Sequence, residues 1–195
     1  MREQGFNTIG TMHVYPELAY ENGQVQVSWT ALDAFMQEYR NAGLNGPVAL
    51  DARGINGWAS NLAEQITEAG ETAPDTIAVD MTGQRAPFRH PLTDEIFKGI
   101  IARTLKHAEE ADWPETLWFP QEEGFHPPSD RYQCLEYFTP LLNEAGATTL
   151  LVSNGARRAL DESVNIGDIW DARCYGQFPE SVFKRTLEDG RRFWT

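Results

Sequence analysis

The sequence predicts an α/β fold, a partial (β/α)8 TIM barrel in which parallel strands alternate with helices. Three observations lead to this prediction. Short apolar runs alternate with helical patterns, and two parallel strands need a crossover of that length between them. The predicted strands are continuous apolar runs, as expected when both faces of a sheet are covered. Polar and aromatic residues follow several strands, and a barrel gathers such residues at one face.

Each predicted strand is a short apolar run bounded by turn residues. In chain order the predicted strands cover residues 6–10, 47–51, 115–120, 148–152, 168–172 and 191–195. The run at 76–80 could be a further strand or an ordered part of a long loop.

Each predicted helix has apolar residues spaced three and four positions apart. Ser28 would cap the first helix and Gly43 would end it. Thr93 would cap the strongest helix, with Asp94 in its first turn, where the helix dipole favours a negative charge. Gly146 would end the helix that begins near residue 129. The predicted helices cover 29–42, 59–69, 93–111, 129–145, 156–162 and 180–188.

The glycine pattern favours a barrel over a nucleotide-binding sheet, because no Gly-x-Gly-x-x-Gly or phosphate loop follows any strand. The chain begins on a helical turn and ends inside a strand, and its six or seven units are fewer than eight. We therefore expect residues 1–195 to form a single domain, an incomplete barrel cut from a larger protein. Open barrel edges would favour self-association, since unpaired strand edges seek partners.

The composition excludes several classes of partner. The chain has 195 residues, of which 41% are hydrophobic, and its net charge of −13 argues against nucleic acid and anionic membranes. No apolar stretch reaches the roughly 20 residues that span a bilayer. Cys134 and Cys174 match no zinc or redox spacing, and neither a metal nor another cofactor is predicted. An extracytoplasmic location would require a signal peptide in the full-length protein, and none is visible here.

The strongest candidates for chemistry are Glu122 and Glu123, which follow the strand at 115–120. Glycoside hydrolysis commonly uses two carboxyl groups. Neighbouring residues of a strand point to opposite faces, but Pro120 and Gly124 would break the strand and let both carboxylates face one pocket. An adjacent pair also suits substrate-assisted hydrolysis, in which the substrate's 2-acetamido group is the nucleophile.

The remaining candidates would bind a carbohydrate substrate, because each lies after a predicted strand or in a loop. Asp51 could bind sugar hydroxyls or cap a helix. Trp58 is predicted in a loop, where its ring could stack on a sugar. His13 and Tyr15 also follow the first strand. The predicted substrate-binding residues are Asp51, Arg53, Trp58, His126, Asn154 and Tyr175.

Several segments together resemble a known family. Residues 5–9 and 42–51 are similar to the opening of many glycoside hydrolase barrels, and residues 169–171 and 192–195 look like later strands of the same group. Residues 113–123 resemble the strand that carries an Asp-Glu pair in the β-N-acetylgalactosaminidase-like barrels and their uncharacterised relatives.

This resemblance implies a glycoside hydrolase in which Glu123 is the general acid and Glu122 orients the acetamido group. The chain departs from the family pattern, because it has Glu-Glu-Gly where the family has Asp-Glu, often followed by Pro. The longer side chain of Glu122 would move its carboxylate. The alternative is therefore a non-catalytic carbohydrate-binding or structural barrel module of a larger protein.

Overall fold

The fold is known from a computed structural model, which describes residues 9–11, 14–68, 78–79, 85–86, 91–120, 130–153, 168–172, 184, 187–188, 190 and 192–194. The helices are α1 (Thr30–Asn41), α2 (Arg53–Glu68), α3 (Pro91–Glu110) and α4 (Asp130–Glu144). The strands are β1 (Ile9–Thr11), β2 (Glu17–Glu21), β3 (Gln24–Ser28), β4 (Val48–Asp51), β5 (Ala78–Val79), β6 (Arg85–Ala86), β7 (Thr116–Phe119), β8 (Thr148–Ser153), β9 (Ile169–Ala172) and β10 (Arg192–Trp194).

The main sheet has six strands in the order β1-β4-β7-β8-β9-β10. Every neighbouring pair in it is parallel. All six strands therefore run in the same direction, and their carboxyl ends lie on one side of the sheet. We call this side the carboxyl end of the sheet; β4 reaches it at Asp51 and β7 reaches it at Phe119.

The predicted partial (β/α)8 TIM barrel is wrong, because the described residues form an open α/β structure with no barrel. Within them, β1 pairs with β4 and β10 pairs with β9, and no pairing joins β1 to β10. Two further strand pairs are antiparallel and separate from the main sheet. Alternating strands and helices specify parallel pairing, whereas closure also depends on strand number, tilt and stagger, which the alternation does not encode.

The two antiparallel pairs were not predicted. β2 and β3 form a hairpin around Asn22 and Gly23, which both have positive φ, 53° and 77°. A two-residue turn with positive φ at both positions matches the twist of the strands, and Asn-Gly is its preferred sequence. β5 pairs with β6, so the run at 76–80 contributes a short strand outside the parallel sheet.

The helices begin at positions that differ from the prediction. Ser28 is the last residue of β3, and Trp29 is the N-cap of α1 without a side-chain cap hydrogen bond. α3 begins at Pro91, whose fixed φ and missing N–H suit the first turn of a helix. Thr93 is therefore inside α3 and not its cap. α2 begins at Arg53, earlier than the predicted start at 59.

The prediction that glycines end α1 and α4 is confirmed. Gly43 and Gly146 have φ values of 72° and 90°, the left-handed conformation that ends many helices. Of the two later predicted helices, 156–162 lies outside the described residues. The other, 180–188, is described at residues 184 and 187–188, which are helical.

Apolar side chains cover both faces of the sheet at β4 and β7. On one face, β4 and β7 pack against α1, α3 and α4 in a cluster that includes Leu50, Trp118 and Phe138. On the other face, Ala49 and Phe119 belong to a second cluster, which also contains Leu117 and Leu150. Successive residues of a strand alternate between faces, so Asp51 lies on the same face as Ala49 and Phe119.

Candidate functional site at the carboxyl end of the sheet

The register of β4 and β7 places Asp51 beside the end of the strand that Glu122 and Glu123 follow in the sequence. Asp51 is the Cα partner of Phe119 in the parallel ladder. The chain leaves β4 into α2 through Ala52, whose N–H donates to the carbonyl of Phe119 at 3.0 Å. The two strand ends are therefore tied together by backbone hydrogen bonds, and Asp51 lies beside the end of β7.

Asp51 and Arg53 form a buried ion pair at this point. Arg53 Nε lies 2.9 Å from each carboxylate oxygen of Asp51, and Arg53 Nη2 lies 2.6 Å from Oδ2. The backbone N–H of Arg53 also donates to Oδ1 at 2.9 Å. The two residues are only 1% and 7% exposed. The contacts to Nε and Nη2 give the planar fork geometry that makes arginine–carboxylate pairs strong and directional.

The position of this pair follows from the local sequence. The strand must end where α2 begins, and the Asp51 carboxylate accepts from the N–H of Arg53, the first residue of α2. A negative charge at the start of a helix interacts favourably with the helix dipole. Asp51 therefore has the helix-capping role that was the alternative prediction from the sequence. Its carboxylate accepts a hydrogen bond from the first turn of the following helix.

The Arg53 guanidinium extends from β4 to β7. Its Cζ lies 5.7 Å from the centroid of the Phe119 ring, within the range of a cation–π contact. Arg53 thus contacts the carboxylate at the end of one strand and the aromatic ring at the end of the next. Its guanidinium thus links the two strand ends through side chains, in addition to the backbone hydrogen bonds.

Tyr15 approaches the same carboxylate from the segment between β1 and β2. Its hydroxyl donates to Asp51 Oδ2 at 3.2 Å, across 36 positions of sequence. The ring lies against α2, because a Cβ added to Gly54 would be 2.7 Å from Cε1 of Tyr15. Only glycine at this position leaves room for the ring, so the glycine and the tyrosine together define this corner of the site.

The environment of Tyr15 keeps its phenol protonated. Burial of the half-buried ring is the largest cause, and the charge of Asp51 and the hydrogen bond to it act in the same direction. Together they raise the pKa of Tyr15 well above its ordinary value, although Arg53 opposes the shift. The phenol is therefore a neutral hydrogen-bond donor to the Asp51 carboxylate at any ordinary working pH.

The structure describes three of the eight predicted site residues and brings two of them together. Asp51 and Arg53 form the pair described above. Trp58 lies in α2 and not in a loop, and its half-buried ring packs against the main hydrophobic cluster. The residues Glu122, Glu123, His126, Asn154 and Tyr175 lie outside the described residues.

Three further residues of this region were not among the predicted site residues. The position of Tyr15 after the first strand was the sequence signal for a role in the site. Its contact with Asp51 could not be predicted, because it joins parts of the chain that are distant in sequence. Asn56 and Ser60 are buried in α2, where Ser60 Oγ donates weakly to Asn56 Oδ1 at 3.4 Å. No sequence signal separated these two buried polar residues from surface residues.

The described parts of the chain hold no group of three or more His, Cys, Asp or Glu side chains that could bind a metal ion. In the same parts, no helix is both long and apolar enough to cross a membrane. No protein-family model matches the sequence, and no curated protein matches it either.

Proposed function

We propose that this chain is a glycoside hydrolase that acts on a carbohydrate by carboxylate acid/base catalysis at the carboxyl end of its parallel sheet. Glu123 is the proposed general acid. Glu122 is proposed to orient and stabilise the 2-acetamido group of the substrate. The substrate class is thus a 2-acetamido sugar, as the resemblance of residues 113–123 to the β-N-acetylgalactosaminidase-like family suggests.

The observation that carries this proposal is the pairing of Asp51 with Phe119 in adjacent parallel strands. Active sites in open parallel sheets lie outside the carboxyl ends of the strands. In the sequence, Glu122 and Glu123 follow Phe119 after only Pro120 and Gln121. In the sequence, the carboxylate pair thus follows soon after β7, whose last residue, Phe119, lies beside Asp51 and Arg53.

The chemistry needs one proton donor and one acceptor. In the proposed route, Glu123 protonates the leaving oxygen as the acetamido oxygen attacks the anomeric carbon and the glycosidic bond breaks. Glu122 accepts a hydrogen bond from the acetamido N–H and stabilises the positive charge of the cyclic intermediate. Water then opens this ring, and the Glu123 carboxylate takes the proton.

Turnover of phenyl β-N-acetylgalactosaminide tests the proposal, because phenolate is a poor leaving group that needs a proton. We expect the 195-residue chain to hydrolyse it and to leave phenyl β-galactoside, which lacks the acetamido group, intact. Glu123→Gln should lower kcat by about 10²- to 10⁴-fold, the usual contribution of general acid–base catalysis. Glu136→Gln, at an exposed position of α4, is the matched control and should keep full turnover.

Two results would each contradict one part of this proposal. Hydrolysis by Glu123→Gln at the rate of Glu136→Gln would exclude Glu123 as the acid. Hydrolysis of the galactoside at a rate similar to that of the acetamido sugar would exclude the substrate-assisted route and leave two-carboxylate catalysis.

A non-catalytic structural module is the second candidate, and the saturation of Asp51 favours it. Both carboxylate oxygens already accept hydrogen bonds from Arg53, and Oδ2 also accepts one from Tyr15. A carboxylate has about four acceptor positions, so Asp51 has little capacity left for substrate. This function predicts neither binding of N-acetylgalactosamine in calorimetry nor turnover of the phenyl glycoside, in the chain and in Glu123→Gln alike.

A further inference from the structure

Tyr15 has no place in the proposed acid/base chemistry, yet it is held at the site by two separate contacts. Its hydroxyl bonds Oδ2 of Asp51, and its ring lies against the backbone of Gly54 at the start of α2. A surface tyrosine would make neither contact. The segment between β1 and β2 is thereby attached to the junction of β4 and α2.

The contacts continue from Tyr15 to the end of β7 in three steps. Tyr15 shares Oδ2 of Asp51 with Arg53 Nη2, which lies 2.6 Å from that oxygen. Arg53 in turn lies over the ring of Phe119. The orientation of the Asp51 carboxylate thus determines where the guanidinium lies against the last residue of β7.

We propose that Tyr15 is a positioning residue that acts through Asp51 and Arg53 to fix the end of β7, from which the Glu122-Glu123 segment continues. This inference rests on the proposed function and deepens it. Tyr15 does not exchange a proton with the substrate. It sets how well the general acid is aligned, because a small displacement of a catalytic group can cost much of its rate contribution.

Leaving-group dependence separates this role from a merely structural one. Tyr15→Phe keeps the ring against Gly54 and removes only the hydroxyl. On phenyl β-N-acetylgalactosaminide we expect kcat to fall about tenfold, the factor that one ordinary hydrogen bond provides, with KM little changed. On the 2,4-dinitrophenyl glycoside, whose leaving group departs without a proton, the fall should be smaller, because only the contribution of Glu122 is then reduced. Lower stability alone would reduce turnover of both substrates in the same proportion.

Tyr20→Phe is the matched control, because Tyr20 lies on the hairpin and its side chain is 46% exposed. It should keep the turnover of the unchanged chain on both glycosides. Equal falls on the two substrates in Tyr15→Phe, or no difference between Tyr15→Phe and Tyr20→Phe, would overturn the inference.

A second measurement does not depend on turnover. The Nε–H resonance of Arg53, identified by its absence in Arg53→Lys, should shift in Tyr15→Phe and exchange faster with water, and it should not change in Tyr20→Phe. An unchanged resonance in Tyr15→Phe would overturn the positioning role whatever the activity. A shifted resonance in a chain without glycosidase activity would instead support the link from Tyr15 to Arg53 and remove the proposed function.

Discussion

His107 Nε2 lies 2.9 Å from Oδ1 of Asp33, and this contact joins the last turn of α3 to the first turn of α1. The same oxygen accepts the indole N–H of Trp113 at 2.8 Å. The Trp29 ring stacks on the imidazole with 4.3 Å between ring centroids. Asp33 is thus the shared acceptor of a small polar group between two helices that pack on the sheet.

Asp33→Ala should destabilise the fold, because it removes the acceptor of both the His107 and the Trp113 N–H groups. We expect the free energy of unfolding to fall by about 1–3 kcal/mol, the cost of leaving such groups without partners. Urea denaturation followed by circular dichroism measures the change. Asp33→Asn keeps an acceptor oxygen and should lose less, so an equal loss in the two variants would contradict this role for the hydrogen bonds.

Arg53→Met should have a larger effect, since it leaves the Asp51 carboxylate buried without its cation. Breaking one side of a buried ion pair costs about 3–5 kcal/mol. The double variant Asp51→Asn/Arg53→Met removes both charges and should regain part of this loss in urea denaturation. The two residues are not coupled if Asp51→Asn lowers the free energy of unfolding by the same amount in the unchanged chain and in Arg53→Met.

Gly54→Ala and Gly57→Ala should have opposite effects although both lie in α2. A Cβ at Gly54 would meet the Tyr15 ring at 2.7 Å, whereas a Cβ at Gly57 meets nothing within 4 Å. We expect Gly54→Ala to lower the unfolding free energy by about 1–3 kcal/mol through overpacking. Gly57→Ala should raise it by up to about 1 kcal/mol through helix propensity. If Gly54→Ala causes no loss of stability in thermal and urea unfolding, the Tyr15 ring does not lie against Gly54.

The raised pKa of Tyr15 predicts a pH dependence of stability in alkaline solution. In the unfolded chain a tyrosine loses its proton near pH 10, while the folded protein keeps the proton on Tyr15. Above that pH the folded state binds more protons, so stability falls as the pH rises. The contribution is fully present below about pH 10 and is lost as the pH approaches the folded-state pKa.

The stability difference between the unchanged chain and Tyr15→Phe measures this contribution. Urea unfolding at a series of pH values from neutral to alkaline should show a constant difference up to about pH 10 and a decreasing advantage of tyrosine above it. Tyr20→Phe controls for the removal of a tyrosine hydroxyl from an exposed site. A difference that grows with pH would show that the phenol is not protected in the folded state.

Local patterns predicted the strands that are continuous apolar runs and the helices whose apolar residues have a clear period. The strands at β4, β7, β8 and β9 and the helices α1, α3 and α4 all lie where the patterns indicated. The hairpin was missed, although Asn22-Gly23 between alternating residues is its usual signal. The start of α2 was missed because Gly54 and Gly57 lower the helix propensity of that segment.

The site was predictable only in part, because local sequence patterns do not encode contacts between distant parts of the chain. Asp51 and Arg53 could be found because both follow a predicted strand and lie close together in sequence. The contact of Tyr15 with Asp51 depends on how the segment after β1 folds back over α2, and no local period encodes that path. Sheet closure is also a global property, so local alternation led to a barrel where the described strands form an open sheet.

The main sheet adds its strands in the order in which they occur in the chain. Each strand of the sheet can therefore pair, once it is synthesised, with a neighbouring strand that was synthesised before it. Pairing between successive strands of the sheet needs a shorter chain closure than pairing between its first and last strands would. We expect the amino-terminal strands to be protected from proteolysis first during synthesis, and the sheet to grow from that side.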